Sequence, residues 1–320
     1  MTTETIAENN SDMNLGNMPD FSIVLVCWNN KDYLKPCLES LYNGGLKRSF
    51  DVVVVDNGST DGSQEMLRDQ YPDILIIQND HNVGLAKACN QGMEATDSPY
   101  VLLLNNDTLV NGEALDAFVD FMENTPDAGA VGGKLLNEDG SFQAGYADFS
   151  SLWEEFLIAT HIGEILREGY PSHLDVDIQQ PTPVGWLSSA CLLLRRAALN
   201  EVGMLDEEYF IYGDEADLQY RLQQNGWKVY YLPSATTLHY GGRSMNRWRR
   251  RKMVYRGKML FYRKNYGPVK EGSLRVLLGG LSLVKLAGWG GAYVLPGKRD
   301  VAKKELNSNI DVVKLCLKLE

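Results

Sequence analysis

The chain has 320 residues, 44% of them apolar, enough for one large or two modest domains around a sizeable core. A net charge of −11 argues against nucleic acid as a partner. Five cysteines (Cys27, Cys37, Cys89, Cys191, Cys316) show no CxxC spacing, which excludes a structural zinc site and fits small core residues in a reducing compartment.

Residues up to about Asp20 are polar and read as a disordered arm. They lack the basic and then apolar run of a secretory signal. Ser22 to Cys27 is a short continuous apolar run, as in a strand buried on both faces. A helix follows over Lys31 to Tyr42. Asp51 to Val55 is a second such strand, closed by Asp56-Asn57-Gly58-Ser59 and followed by a helix over Asp61 to Gln70. Ile74 to Ile77 is a third strand. Asn82 to Ala95 reads as a loop leading into a helix. Tyr100 to Leu104 is a fourth strand, ending in Asn105-Asn106-Asp107. This alternation with short connections predicts a mostly parallel, doubly wound α/β sheet.

Ligands of such sheets bind beyond the carboxyl ends of the strands. Trp28-Asn29, Asp56 and Asn105-Asn106-Asp107 all stand at expected strand ends. No GxGxxG follows the first strand and no GxxxxGK[ST] occurs, which argues against a dinucleotide enzyme and a P-loop NTPase.

In the second half, Trp186 to Arg195 reads as one strand-like run carrying Ser188-Ser189-Ala190. Asp217 to Gln224 reads as a helix ended near Gly226, with Asp217 and Arg221 one turn apart and able to pair weakly. Lys228 to Leu232 reads as a strand closed by Pro233. Just ahead of the helix, Tyr212 to Arg221 crowds Asp214, Glu215 and Asp217 into four positions. Such a cluster suits a hydroxyl proton or a cation; it also suits a plain helix start, where the dipole favours acids. His239 follows in LHYGGRS.

Between Arg243 and Lys270 stand 11 Lys or Arg and no acid, so the rest of the chain carries a net −22. The block, with Arg247, Trp248 and Arg249 to Lys252 at its head, suits a solvated helical face, an anionic lipid surface, a diphosphate or nucleic acid, the last disfavoured by the acidic remainder. Leu274 to Pro296 is apolar and glycine-rich, but Arg275 and Lys285 interrupt it. A spanning helix needs about 20 uninterrupted apolar residues, so an in-plane or re-entrant membrane contact is expected, with a buried hairpin as the alternative.

Six segments in order carry a resemblance: SIVLVCWNN from Ser22, VVVVDNGSTDGS from Val52, NVGLAKACNQG from Asn82, LLLNND from Leu102, the run from Gly185 to Arg221, and LPSATTLHYGG from Leu232. Together they resemble the family 2 inverting glycosyltransferases of GT-A fold, close to the bacterial rhamnosyltransferase-like group. The likeness covers roughly Phe21 to Tyr266. After the arm over 1–20 read from composition, it implies a GT-A domain over 21–242, whose nucleotide half is about 21–110 and acceptor half about 111–242. A basic, amphipathic helical region over 243–320 is then a possible membrane contact.

The resemblance implies site residues as well. Asp56 contacts the base or ribose, with Trp28 beside the base. Asn29, Asn82, Gly84, Asn90 and Asn106 belong to the nucleotide side. The family's Asp-X-Asp metal motif reads Asn105-Asn106-Asp107 here, so Asp107, Asn105 and His239 are the candidate ligands of a divalent cation, Mg or Mn. The family's Glu-Asp-X-Asp pattern is swapped to Asp214-Glu215. By position Glu215 is the catalytic base, with Asp214 in reserve and Asp217 organising the helix start. Trp186, Ser188 and Ser189 shape the acceptor side.

The implied activity is transfer of a sugar, rhamnose among the candidates, from a dTDP- or UDP-sugar to a hydroxyl of a glycan or polyprenyl-linked glycan in surface polysaccharide synthesis. The implied place is the cytoplasmic face of the membrane, on an anionic surface. Two rivals are a nucleotidyltransferase on a related sheet and a catalytically silent binding scaffold.

Overall fold

The computed structural model of the protein describes residues 18–166, 178–241 and 246–319. Most of the expected arm lies outside them, as do Arg243 and the 242/243 boundary.

The strands in chain order are β1 (Phe21–Cys27), β2 (Phe50–Asp56), β3 (Leu75–Gln78), β4 (Tyr100–Asn105), β5 (Thr108–Val110), β6 (Ala128–Leu136), β7 (Phe142–Gln143), β8 (Tyr146–Ala147), β9 (Thr182–Pro183), β10 (Trp186–Leu187), β11 (Cys191–Arg195) and β12 (Lys228–His239). The helices are α1 (Lys31–Asn43), α2 (Ser63–Gln70), α3 (Leu85–Glu94), α4 (Gly112–Asn124), α5 (Leu152–Thr160), α6 (Ile162–Leu166), α7 (Arg196–Val202), α8 (Asp214–Gln224), α9 (Arg247–Phe261), α10 (Pro268–Ala292) and α11 (Arg299–Cys316). A π-turn, Tyr262–Tyr266, joins α9 to the segment before α10.

The main sheet runs in the order β3-β2-β1-β4-β11-β6-β12-β5. β1 to β4 are parallel, as are β6 and β12, whereas β11 runs antiparallel between β4 and β6. The apolar runs of β1, β2 and β4 are buried on both faces, as expected for helix-covered strands, whereas edge strand β3 leaves Leu75 exposed. Ile23 and Leu25 of β1 point into one core with Leu102, Leu104 and Phe118 of α4, and Val24 into the other with Val101, Leu103 and Tyr231. Burial pushes the Cys37 and Cys191 thiols up to about 12 and Cys89 higher still, so these cysteines are inert core residues.

Three expected elements differ. The Trp186–Arg195 run splits: β10 pairs with β8 in a small separate sheet, and β11 enters the main one. The break falls where Ser188 N donates to Gly145 O (2.7 Å) and Asn105 N donates to Ala190 O (3.0 Å), so two different partners claim the segment. β12 does not stop at Pro233 but continues to His239. The register against β6 shifts between Leu232 and Thr236, and such an irregularity tolerates the missing N–H of proline. α8 starts at Asp214 rather than Asp217, behind Gly213 at φ 95°.

The C-terminal helices are part of the body. Phe261, Tyr262 and Leu274 share a core with Tyr209 and Ala159, and Phe149, Tyr220 and Tyr266 pack around it. α10 is one continuous helix, neither re-entrant nor a hairpin, and no helix among the described residues is long and apolar enough to cross a membrane.

Candidate active site

The strand register places the expected residues at one sheet edge. Cys27 pairs with Asp56, and Val26 with Asn105. Trp28, 41% exposed, follows β1 directly. Asn29 adopts a left-handed φ of 50° and accepts from Thr60 N at 2.7 Å, which ties the first strand-end loop to the second.

Asp56 is wholly buried. Its Oδ2 accepts from Ser59 N (3.1 Å) and from the Gln64 amide, while its Oδ1 has no hydrogen-bond partner. A buried acceptor left unpaired costs on the order of 1–3 kcal/mol, so this oxygen suits a donor brought by a ligand. Next to it, Asn57 uses its whole amide. It donates to Asn82 Oδ1 (3.1 Å) and Gly84 O (3.2 Å) and accepts from Val83 N (3.0 Å) and Asn79 (3.2 Å). Asn57 therefore holds the Asn79–Gly84 loop, a role its place in a turn motif concealed.

Gly84 has φ 96°, and a Cβ there would lie 2.9 Å from Phe210 O. That contact, with Leu85 N donating to Phe210 O at 2.7 Å, joins the nucleotide-side loop to the acidic segment. Asn90 stands apart from the strand ends. Its amide is spent on Leu205 (2.8 and 3.1 Å) and Glu207 (3.1 Å), so it is a strut between α3 and the 205–207 loop. Asn106 is likewise spent, donating to Val26 O (2.8 Å) and accepting from Asn30 (2.6 Å).

Beyond β4, His239 Nε2 lies 3.3 Å from Asp107 Oδ1 and 3.4 Å from Asn105 Nδ2. Gln143 on β7 settles the tautomer. Its NH2 donates to Asn137 Oδ1 and His239 O, both at 2.9 Å, which leaves Oε1 to accept from His239 Nδ1 at 2.6 Å. Nδ1 thus carries a hydrogen, and Nε2 is the ring nitrogen on the side of Asp107. A carboxylate and an imidazole nitrogen brought together, with a carboxamide beside them, suit a divalent cation. No three His, Cys, Asp or Glu converge among the described residues, so a cation here would take its remaining ligands from substrate and water.

The acidic turn has its own logic. Tyr212 takes a left-handed φ of 65°, a strained value for a residue with a side chain, and Gly213 follows at 95°. Asp214 is 1% exposed, and its Oδ1 has no hydrogen-bond partner. Burial pushes its pKa well above the ordinary carboxylate range, and the Glu215 carboxylate alongside adds to the push. Glu215 is partly exposed, and its Oε2 accepts from Gly213 N at 3.1 Å. Asp217 is buried. It accepts from Arg221 (2.9 Å), Asn265 of the π-turn (2.8 Å) and Tyr209 (3.3 Å), a far more enclosed pairing than the weak surface contact expected.

Gln219, one turn further along α8, exchanges two bonds with the Leu187 backbone (2.8 and 2.7 Å). It fixes the segment carrying Trp186, Ser188 and Ser189, all three half-buried, against the acidic helix. Helix α9 closes over the turn: Arg250 lies over the Tyr212 ring at 5.7 Å, and a Cβ on Gly257 would come within 2.1 Å of Tyr212 O.

The family model described as Glycosyl transferase family 2 matches residues 22–203, more than half of the chain. The chain belongs to glycosyl transferase family 2. It is 32% identical over 238 residues to an N-acetylglucosaminyl-diphospho-decaprenol L-rhamnosyltransferase of Mycobacterium tuberculosis, covering 70% of this chain and 77% of that protein. It is 22% identical over 231 residues to a poly-beta-1,6-N-acetyl-D-glucosamine synthase of Staphylococcus aureus, covering 70% of this chain and 50% of the relative.

Among solved structures, a Pyrobaculum calidifontis mannosyltransferase in complex with GDP-Man and Mn2+ superposes with a TM-score of 0.56 at 14% identity, over 95% of this chain and 89% of that one. Residues 1–349 of S. aureus TarS with UDP give 0.51 at 15% identity, over 93% and 90%. The fold is GT-A, and the family 2 member is a glycosyltransferase. The family match ends at 203, before the acidic turn and before His239.

Proposed function

We propose that this glycosyltransferase works with inversion, moving a sugar from a nucleoside-diphosphate donor to a hydroxyl of a lipid-linked glycan in surface polysaccharide synthesis. The likeness to the mycobacterial rhamnosyltransferase supports rhamnose as the sugar, with dTDP-rhamnose the first donor to test and UDP-sugars the next. The diphospho-decaprenol in that relative's name also supports a diphospho-polyprenol acceptor.

The observation that carries the mechanism is the pairing of a buried Asp214, whose pKa burial raises, with a partly exposed Glu215. Glu215 takes the proton of the acceptor hydroxyl. The hydroxyl oxygen then bonds to the anomeric carbon from the face opposite the diphosphate, and the bond to the diphosphate oxygen breaks with its electrons leaving on the nucleotide. One displacement of this kind inverts the anomeric centre. The unpartnered Asp56 oxygen receives an N–H or O–H of the nucleoside, with Trp28, Asn29, Asn82 and Gly84 around it. Asp107, His239 and Asn105 would hold Mg or Mn, which supplies positive charge toward the departing diphosphate. Trp186, Ser188 and Ser189 line the acceptor side. The enzyme works peripherally at the cytoplasmic face of the membrane, where such an acceptor is held.

The test is a donor panel, dTDP-rhamnose and UDP-sugars with Mg or Mn, against a synthetic GlcNAc-diphospho-prenol. We expect rhamnosyl transfer, with the product anomer read by NMR as inverted. A retained anomer would remove the single displacement, and transfer from UDP-sugars alone would remove rhamnose.

A further inference from the structure

The outward face of α10 carries no charge along most of its length. Val276 is 77% exposed, Leu283 57%, Val284 71% and, just past the helix end, Val294 79%. Between Arg275 and Lys298 the one charged residue is Lys285. Its ammonium turns away from this face and donates to Ala159 O of α5 at 2.8 Å. A helix lying on a soluble protein normally turns a polar stripe to water, and a contiguous exposed apolar strip marks a contact surface.

The end of the strip differs in kind. Half-buried Tyr293 stands there with Arg299 over its ring at 5.0 Å, while Trp289, one turn past Lys285, sits half-buried on the adjoining flank. Lys298, Lys303 and Lys304 follow, with Asp300 the only acid from Val276 to Lys304. A cavity of about 580 Å³ opens among Lys285, Gly288, Trp289, Ala292, Lys298 and Val301. Its walls are apolar and aromatic, with cations at the side.

Part of the basic block of α9 and the π-helical segment, for which an anionic surface is one expectation from sequence, is committed elsewhere. Arg247 and Arg251 pair with buried Glu305 (both 2.9 Å), Lys258 with buried Glu155 (2.6 Å), and Arg263 and Lys264 with the acids at 206 and 208.

We propose that the outward face of α10, with Tyr293 and the cations of Lys298 to Lys304 at its end and Trp289 on its flank, seats the enzyme on an anionic lipid leaflet. An apolar strip, then aromatic rings, then cations, follows the order of acyl chains, interface and phosphate headgroups. The helix lies in the plane of the interface. The choice of a bilayer rests on the lipid-linked acceptor proposed above. A second copy is the poorer fit by charge: a two-fold pairing of this face would bring the cationic end toward the partner's Lys270 end.

The test uses the full chain with vesicles of phosphatidylcholine, with and without phosphatidylglycerol. We expect co-sedimentation with the anionic vesicles only. Val284→Asp and Leu283→Asp should each reduce it at least tenfold, and Lys298→Gln with Arg299→Gln on the order of fivefold per cation removed. These side chains are exposed, so circular dichroism should be unchanged. Donor hydrolysis without vesicles should also be unchanged. Binding of the Asp variants at the wild-type level, or no wild-type binding to anionic vesicles, would overturn the proposal. So would a wild-type dimer in size-exclusion chromatography that Val284→Asp dissociates while vesicle binding persists. Loss of donor hydrolysis in the wild type would count against the proposed function and leave the lipid contact standing.

Discussion

Asp214 and Glu215 sit side by side, yet only one of them meets solvent. Burial raises the Asp214 pKa and so favours its neutral form, which cannot take a proton from a hydroxyl. Glu215→Gln should lower kcat by about 10²–10⁴-fold with nucleotide affinity unchanged, and Asp214→Asn, which keeps the shape and a donor toward Glu215, should retain most of the turnover. The reverse ranking in steady-state kinetics would make Asp214 the base. Stability offers a second reading. Because the folded-state pKa of Asp214 is raised, the native state binds this proton more tightly than the unfolded chain does. That contribution is complete below the ordinary carboxylate value and is lost as pH rises through the folded value. Asparagine does not titrate, so urea unfolding at several pH values should show Asp214→Asn gaining on the wild type as pH rises; parallel curves would contradict the assignment. On the cation side, Gln143→Ala frees the His239 ring to turn and should weaken Mn2+ binding to the protein alone by about 10–100-fold by calorimetry. The sequence marked Asp56, Asp107, Glu215 and His239 through motifs. Gln143, Gln219 and Asn57 carry no such mark: they are amides whose partners lie far along the chain or in a turn, and their importance is one of bond geometry.

At the scale of elements, α9 and the π-turn act on the acidic turn from outside. Gly257 admits the Tyr212 carbonyl, Arg250 covers its ring, and Asn265 reaches Asp217. π-Helical turns are frequent at functional sites, and Asn265, which donates to Asp217 at 2.8 Å, stands in this one. Gly257→Ala would push Tyr212 O away and move the strained turn that presents Glu215. We expect kcat to fall on the order of 10²-fold while affinity for the nucleoside diphosphate holds. An equal loss in both would mean general unfolding rather than a displaced base, and an unchanged kcat would remove the positioning role. The strands of the first half were legible because doubly buried strands form continuous apolar runs. The errors came where one run serves two sheets, at Trp186–Arg195, and where a strand survives a proline, at Pro233. Local pattern carries no information about which partner claims a segment.

For the whole molecule, the family 2 fold could be read from the order of six segments, whereas the fate of the tail could not. Its apolar residues divide between two faces of α10. Leu274 and Leu278 enter a core with Tyr209 and Phe261, and Val276, Leu283 and Val284 face outward. Composition alone cannot make that division. The placement of Gly257 also bears on engineering. Specificity in such enzymes is often sought by joining the front of one relative to the back of another. The contacts from Tyr212 and Asp217 to Gly257 and Asn265 mean that a seam near residue 242 would separate the acidic turn from the helix that shapes it. A productive hybrid should inherit residues 205–266 from a single parent, and a crossover before Leu205 must also keep their partners Gly84, Asn90 and Leu187.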